Sequence, residues 1–321
     1  MERGEVRSYA DVTNWRDYEE KLPAAFQLSG EQPEEEWFDW RDISVHVDRL
    51  AAPDAPLKLL LIHGIGGYGR IVLGFGAPYR PELCEVVAPD LPGYGLTRAP
   101  TDRFRLSGWT ECLHGFIDSE LRRDGRPIVL AGLSLGGMVA YHVACTARVR
   151  GLIATAFVDM TDAEVAVGVS RFVRLSRLTL PLVKRLPPAM AGLRIPARLL
   201  SKVYAISNDP ELSRLASNDP NGGGNSVPIS FLRSIMATPP AIAPEQFGCC
   251  PVLLAHPGED RMTDIAFSRR FFDRLAAPKR MVILDGAGHW PIEEPGATQM
   301  REAVACFLEG VARDHSQSTT R

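Results

Sequence analysis

The feature of this 321-residue chain that most constrains its fold is a series of six short, almost continuous apolar runs. Runs that are apolar on both faces are typical of parallel strands covered by helices on both sides of a sheet. Segments with helical periodicity lie between several of the runs, and this alternation predicts an α/β fold with a mostly parallel sheet. The runs are residues 57–62, 84–88, 127–131, 151–158, 251–255 and 281–284.

The alternation is interrupted once, in a proline-rich stretch with helical periodicity. We expect this stretch to form a helical cap between the strand that ends near Val158 and the strand that starts near Pro251. Near the start of the chain, residues 11–26 could form a helix packed on the core. The predicted division is an N-terminal extension at 1–36, a core at 37–160 and 248–314, the cap at 161–247 and a frayed tail at 315–321.

Composition excludes several classes of protein. The chain has 36 Lys and Arg against 39 Asp and Glu, so its formal charge of −3 offers no basic excess for nucleic-acid binding. No run approaches the roughly 20 apolar residues of a membrane helix, and the first residues lack the apolar core of a signal peptide. We therefore expect a cytoplasmic protein without an integral membrane segment. Six cysteines form no CxxC pair, which predicts buried thiols rather than disulfides or a metal site.

A glycine-flanked serine follows the third apolar run, in Gly132-Leu133-Ser134-Leu135-Gly136. Glycines fit a tight strand-to-helix turn, which leaves no room for side chains and presents the hydroxyl at the end of the sheet. The following helix directs its positive N-terminal end at that position and favours developing negative charge. We interpret Ser134 as a nucleophile, and the alternative is an ordinary glycine-rich turn.

A serine nucleophile needs a base, and a carboxylate should orient that base. Among the seven histidines, His289 is the best candidate, because it lies between glycines and a proline in the loop after the last run. The loop after the fifth run offers three acids, of which Asp260 is the first choice, Asp264 the second and Glu259 the third. Asp159, which follows the fourth run, is a more distant alternative.

Backbone amides suited to an oxyanion hole follow the first run, in His63-Gly64-Ile65-Gly66-Gly67. One amide of this segment and the amide of Leu135 can hold a developing oxyanion between them. Ile65 is the preferred donor and Gly66 the alternative. A phosphate-binding loop is disfavoured, because the segment lacks the Gly-Lys-Ser/Thr ending of that motif.

These motifs together resemble the α/β-hydrolase fold superfamily, in its serine esterase and lipase branch. The resemblance covers roughly residues 37–312 and implies an eight-stranded, mostly parallel sheet. Acyl transfer by a serine, a histidine and an acid needs no metal or organic cofactor. It also implies that Ser134 is the nucleophile, Asp260 the acid and His289 the base. Family acid loops often carry a proline shortly after the acid, whereas this chain has Met262-Thr263-Asp264, so Asp264 stays an alternative.

Ester hydrolysis through an acyl-serine is the most economical function for such a site. Hydrolysis of a carbon–carbon bond in a ring-cleavage diketone is the first alternative, although similar enzymes usually have Pro-Gly where this chain has Gly67-Tyr68. A catalytically silent receptor or scaffold on the same fold is the second alternative.

The predicted cap has an unusual charge distribution. Residues 165–208 contain eight lysines and arginines and no acidic residue, and Arg171, Arg174 and Arg177 would lie on one helical face. The simplest interpretation is an amphipathic helix with a solvated basic face. The more specific hypothesis is that the cap attracts an anionic or lipid-like ester, or an anionic membrane surface.

Overall fold

All six apolar runs form strands of one sheet in the computed structural model, which describes residues 8–12 and 14–319. Two strands precede them, and the sheet has eight strands in the order β1-β2-β4-β3-β5-β6-β9-β10. A separate two-stranded sheet, β7-β8, belongs to the cap. The strands are β1 Glu34–Trp40, β2 Ile43–Leu50, β3 Leu57–Ile62, β4 Cys84–Pro89, β5 Ile128–Gly132, β6 Gly151–Ala154, β7 Arg194–Pro196, β8 Ser226–Pro228, β9 Val252–Pro257 and β10 Lys279–Leu284.

The strands from β3 onward in this sheet are parallel to one another, and only β1 and β2 run antiparallel to their neighbours. Every residue of β3, β4, β5, β6 and β9 is buried, as continuous apolar runs predict when helices cover both faces of a sheet. The carboxyl ends of all these strands therefore meet at one edge, where ligands bind in such sheets.

Helices connect the strands and form the cap. Helix α4 begins at Leu135, directly after Ser134, and only Leu133 and Ser134 separate it from the end of β5. Helix α10 follows the loop after β9. None of the helices in the described residues is both long and apolar enough to cross a lipid bilayer. The helices are α1 Asn14–Glu19, α2 Gly69–Leu73, α3 Leu106–Asp124, α4 Leu135–Ala144, α5 Ala163–Gly168, α6 Val173–Arg185, α7 Ala197–Leu200, α8 Pro210–Asn218, α9 Ile229–Ala237, α10 Ile265–Phe272 and α11 Gly296–Thr319.

Three predicted boundaries differ from the structure. The sheet begins at Glu34, inside the segment expected to be an extension. The fourth run leaves the sheet after Ala154, although residues 155–158 stay buried beyond the strand end. The tail expected to be frayed is helical as far as Thr319, because no glycine or proline follows Gly310 to end the helix. Residues 320–321 lie outside the described part of the chain.

Two cysteines contradict the prediction of buried thiols. All six cysteines are free, but Cys249 and Cys306 are exposed. Cys306 has apolar neighbours in the sequence, yet Val304 and Leu308 occupy the buried face of α11 and Cys306 points away from it. A helical period of 3.6 residues places position 306 on the side opposite these two residues.

The N-terminal extension packs on the core, but not as one helix from residue 11 to residue 26. It forms α1 and then a single 3₁₀ turn at Ala24–Phe26, directly after Pro23. Trp15, Tyr18 and Phe26 are buried against the body of the protein. Burial of these three aromatic side chains stabilises the segment, because each removes a large apolar surface from water.

Candidate active site

The turn between β5 and α4 holds Ser134 in a strained backbone conformation. Its φ of 56° and ψ of −128° lie in a region that residues with a side chain rarely adopt. A Cβ atom on Gly132 would come within 2.2 Å of the Gly136 carbonyl oxygen, and one on Gly136 within 2.1 Å of the Ile62 oxygen. Both flanking glycines are therefore required by the close approach of the backbone, as the sequence pattern predicts.

Thr155, which sequence analysis missed, follows the neighbouring strand β6 directly and holds this turn. The amide of Ser134 donates a hydrogen bond of 2.9 Å to the Thr155 hydroxyl. The amide of Thr155 in turn donates to the Gly132 carbonyl over 3.1 Å. The signal available in the sequence was a single hydroxyl residue inside the fourth apolar run, residues 151–158.

Asp260 and His289 form a buried pair at the same edge of the sheet. Oδ2 of Asp260 lies 2.7 Å from Nδ1 of His289, and the side chains are 1% and 3% exposed. The other carboxylate oxygen of Asp260 accepts hydrogen bonds of 2.8 Å from the amides of Met262 and Thr263. Because Nδ1 donates to the carboxylate, Nε2 of His289 is left as the proton acceptor.

The environment of Asp260 keeps its carboxylate ionised. Burial by itself would raise the pKa of Asp260, but the charge and hydrogen bond of His289 and the amide of Thr263 lower it overall. A carboxylate that stays charged can orient the imidazole and stabilise its cation.

The other three acids considered from the sequence have different partners. Asp264 is the N-cap of α10 and accepts a hydrogen bond of 2.9 Å from the amide of Ala266. Asp159 accepts hydrogen bonds from Thr161 in a local turn, and Glu259 is exposed. Within residues 8–12 and 14–319, only Asp260 among these acids is hydrogen-bonded to His289.

The loop after β3 lies directly against the serine turn. A Cβ atom on Gly64 would be 3.1 Å from Cβ of Ser134 and 3.2 Å from the amide nitrogen of Leu135. Neither the amide of Leu135 nor that of Ile65 has a hydrogen-bond acceptor in the described part of the chain. Two unengaged amides on adjoining segments are what an oxyanion hole requires.

Gly66, the alternative donor, lies near the Tyr94 hydroxyl and near the cap. Burial raises the pKa of the Tyr94 hydroxyl, and the backbone amide of Gly66 opposes that rise. Gly66 also has a φ of 84°, and its Cβ position would lie 3.2 Å from Cα of Gly223 in the cap. Ile65 and Gly66 therefore both stay candidate donors in this loop.

Neither of the two other histidines at the carboxyl edge, His63 and His256, is hydrogen-bonded to a carboxylate in the part of the chain that the structure describes. Nδ1 of His63 donates to the Gly64 carbonyl over 2.8 Å, and its Nε2 accepts from the amide of Leu91 over 3.0 Å. Burial lowers the pKa of His63 to about 4, so the ring is neutral and joins two loops. Burial also lowers the pKa of His256, whose Nδ1 donates to the Pro257 carbonyl.

The hydrogen bond expected between the Ser134 hydroxyl and His289 is not formed. The hydroxyl of Ser134 has no hydrogen-bond partner among the described residues. Hydrogen bonds between catalytic groups are often long or poorly aligned until substrate is bound. The described residues also contain no group of three or more His, Cys, Asp or Glu side chains arranged to hold a metal ion.

The cap contacts the loops on both sides of the serine turn. The amide of Trp290 donates to the Ile206 carbonyl over 2.7 Å, next to His289. On the other side, the amide of Gly95 donates to the Asn221 carbonyl over 3.2 Å. The cap is therefore fastened to the loops that follow β4 and β10.

The strand order and the strained serine turn define an α/β protein whose functional groups lie at the carboxyl edge of the sheet. Comparison with known families agrees with this class. Residues 59–301 match the alpha/beta hydrolase family, and the chain belongs to that family.

The chain is similar to several bacterial proteins. It is 37% identical to Lipase LipV of Mycobacterium tuberculosis over 103 residues, which are 32% of this chain and 36% of that protein. It is 26% identical to pimeloyl-[acyl-carrier protein] methyl ester esterase of Neisseria meningitidis serogroup A over 304 residues, which are 85% of this chain and 83% of that protein. The first of these similarities thus spans little more than a third of the relative.

A solved structure with the same fold is a soluble variant of monoglyceride lipase from Saccharomyces cerevisiae in complex with a substrate analog. It superposes with a TM-score of 0.71 at 16% sequence identity, covering 90% of this chain and 98% of that one. At this identity the likeness concerns the fold alone.

Proposed function

We propose that this protein hydrolyses carboxylic esters through an acyl-serine intermediate. The observation that carries the proposal is the 2.7 Å Asp260–His289 pair, located at the same edge of the sheet as the strained Ser134 turn. A nucleophile, a base and an acid in these positions suit acyl transfer to water. The names of the esterase and lipase relatives support the same class of reaction.

In the proposed reaction, the Ser134 hydroxyl attacks the ester carbonyl while Nε2 of His289 accepts its proton. Asp260 stabilises the resulting imidazolium, and the amides of Ile65 and Leu135 hold the oxyanion of the tetrahedral intermediate. The imidazolium then protonates the departing alcohol, and the acyl group remains bound to Ser134 as an acyl-serine. His289 next removes a proton from water as the water oxygen attacks the acyl carbonyl. The bond to Ser134 then breaks while the imidazolium returns the proton to the serine oxygen, and the carboxylic acid is released.

A cavity in the cap is the proposed site for the apolar part of the ester. It has a volume of about 730 Å³ and lies between α5, α6, α9 and α10. Its lining is mainly apolar and includes Val167, Leu180, Met236 and Phe267. Arg177 and Lys184 add positive charge, and Glu164 adds negative charge. A cavity of this size and character suits a small apolar ligand with an acidic or polar end.

Nitrophenyl esters of graded acyl length test this proposal. We expect Ser134→Ala and His289→Ala each to lower kcat/KM by about 10⁴-fold or more, and the double variant to lose little beyond either single one. Longer acyl chains should be preferred over acetate, because the cavity removes apolar surface from water. Thermal unfolding of each variant controls for loss of the fold.

A fluorophosphonate probe gives an independent readout of the nucleophile. It should add one adduct to the wild-type protein, located at Ser134 by peptide mass analysis, and none to Ser134→Ala. Hydrolysis that persists in Ser134→Ala, or an adduct on another serine, would contradict the assignment. Wild-type protein that is labelled at Ser134 but hydrolyses no ester would refute the ester substrate and not the nucleophile.

A further inference from the structure

Exposed apolar side chains are concentrated on one part of the cap. Within residues 8–12 and 14–319, nine of the ten large apolar side chains that are exposed lie between positions 172 and 204. Large apolar patches on a protein surface commonly mark contact with another molecule or with a membrane. The nine are Phe172, Val173, Leu175, Leu178, Leu182, Met190, Leu193, Leu199 and Tyr204.

The same part of the cap is strongly basic. Residues 165–208 carry eight lysines and arginines and no acid, in a chain whose net charge is −3. The remainder of the chain is therefore acidic, and the positive charge is local to this segment. The eight are Arg171, Arg174, Arg177, Lys184, Arg185, Arg194, Arg198 and Lys202.

The helix α6 presents leucines to solvent. Ser176 is the only buried residue described in this helix, and a period of 3.6 residues places Leu175, Leu178 and Leu182 on the opposite side. These leucines are 56%, 72% and 58% exposed. Arg174, which is also exposed, lies beside them on the same outer face. This arrangement is the reverse of an ordinary surface helix, whose leucines face the core.

Two aromatic rings extend the apolar surface from the start of α6. The guanidinium carbon of Arg171 lies 5.4 Å from the ring centroid of Phe172 and 5.5 Å from that of Tyr204. Nη1 of Arg171 donates a hydrogen bond of 2.7 Å to the Arg198 carbonyl, which brings a second arginine to the same place. Exposed aromatic and basic side chains are thus adjacent beyond the helix as well.

We propose that this outer face of the cap docks on an anionic lipid–water interface. We define the docking face by Arg171, Phe172, Arg174, Leu175, Leu178, Leu182, Arg185 and Tyr204. An interfacial helix inserts its apolar side chains among acyl chains, while neighbouring lysines and arginines meet anionic headgroups. The proposal goes beyond ester hydrolysis, since docking needs no turnover.

The charge of the face disfavours a second copy of the chain as its occupant. A symmetric dimer places the same patch of both subunits in contact, so the arginines of one copy would oppose those of the other. Anionic headgroups neutralise these arginines instead, and each cation near such a surface strengthens binding about fivefold. The exposed leucines add apolar burial to the free energy of binding, and a partner that binds only by charge would not bury them.

Flotation with lipid vesicles tests the proposal. We expect the wild-type protein to float with vesicles that contain phosphatidylglycerol, more weakly with phosphatidylcholine alone, and less at high salt. Arg174→Gln/Arg185→Gln should weaken binding to the anionic vesicles by roughly tenfold or more. Leu178→Ser/Leu182→Ser should weaken it by at least about tenfold. None of these four residues lines the cap cavity.

The matched control is Arg122→Gln/Arg313→Gln, which removes two exposed cations outside the cap and should bind like the wild type. All variants should keep wild-type kcat/KM on a short, water-soluble ester. Equal loss in the control, or no binding to anionic vesicles, would overturn the proposal. If a second copy of the chain used this face, the protein would dimerise and Leu178→Ser/Leu182→Ser would abolish the dimer. If only the arginine variant lost vesicle binding, the face would bind an acidic partner without inserting its leucines. Either outcome would also overturn the proposal.

Discussion

At the scale of single residues, two aspartates four positions apart have different structural roles. Asp260 accepts two backbone hydrogen bonds through one oxygen and pairs with His289 through the other. Asp264 accepts from the amide of Ala266 at the start of α10. The sequence ranks Asp260 first because it follows β9 more closely, and in the structure Asp260, not Asp264, is hydrogen-bonded to His289.

Replacing each aspartate by asparagine should separate these roles. Asp260→Asn removes the charge that stabilises the His289 imidazolium, so we expect kcat to fall by about 10³–10⁴-fold. Asp264→Asn should leave both kcat and stability almost unchanged, because asparagine caps a helix about as well as aspartate. Steady-state kinetics and urea unfolding of both variants check this. A larger loss of kcat in Asp264→Asn would reverse the assignment of the acid.

At the scale of structural elements, a glycine-rich loop of the cap supports the loop that carries Ile65. The segment is anchored by Asp219, whose carbonyl accepts hydrogen bonds from the amides of Gly222 and Gly224. A Cβ atom on Gly222 would lie 2.7 Å from the Gly66 carbonyl oxygen. The cap backbone therefore packs against the proposed oxyanion loop with no room for a side chain between them.

A side chain in this cap loop should disturb both stability and activity. A Cβ atom on Gly223 would come within 2.4 Å of the Ala216 carbonyl oxygen and 2.8 Å of Cγ1 of Val203. We expect Gly223→Ala to lower the free energy of unfolding by about 1–3 kcal/mol and to lower kcat/KM by displacing Ile65. Urea unfolding and ester hydrolysis measure the two effects.

Gly248→Ala is the matched control, because a Cβ atom there has no neighbour within 4 Å. It should leave unfolding and kcat/KM close to those of the wild type. Gly223→Ala that is destabilised but fully active would show that the cap loop has no part in positioning Ile65.

At the scale of the whole molecule, the N-terminal extension joins the core to the cap. The hydroxyl of Tyr9 donates a hydrogen bond of 2.8 Å to the buried carboxylate of Asp90, which follows β4. The hydroxyl of Tyr18 donates over 3.0 Å to Asp219 in the cap. A segment that looks like a polar extension in the sequence thus contributes buried hydrogen bonds to two distant parts of the structure.

The same region contains a buried histidine between carboxylates. Nε2 of His46 lies 3.0 Å from Oε2 of Glu35, and its Nδ1 lies 3.3 Å from Oδ2 of Asp90. Asp48 is also near. Burial lowers the pKa of His46, but the two nearest carboxylates outweigh it and raise the pKa to about 10. The ring is therefore positively charged at neutral pH.

This charge predicts how stability depends on pH. The stabilisation from His46 is complete below the pKa of about 6.5 of an unfolded histidine and is lost as pH rises toward the folded value of about 10. Unfolding free energy should therefore fall between these values, by up to about 1.4 kcal/mol per pH unit. Urea unfolding at a series of pH values measures this slope.

His46→Gln should flatten that slope, since glutamine does not titrate. His114→Gln is the control, because His114 bonds to Thr110 and Thr146 and not to a carboxylate. A wild-type slope retained in His46→Gln would mean that other groups govern the dependence on pH.

Much of the fold could be predicted because it rests on local rules. The apolar runs predict the buried strands, since a residue in a covered parallel strand is buried on either face. The pattern around Ser134 predicts a strained turn, because the glycine positions leave no space for Cβ atoms. Strand ends were less accurate, as at Ala154, because packing of Phe157 against helices α4 and α10 continues the burial beyond the hydrogen-bonded ladder.

The sequence by itself determined the sheet, the serine turn and the short set of acids and amides that could serve it. These features depend on periodicity and on steric limits between near neighbours. Only the tertiary structure decided that Asp260 contacts His289, that Thr155 supports Ser134, and that the leucines of α6 face solvent. Those outcomes depend on loops and helices from distant parts of the chain meeting in space, which no local pattern encodes.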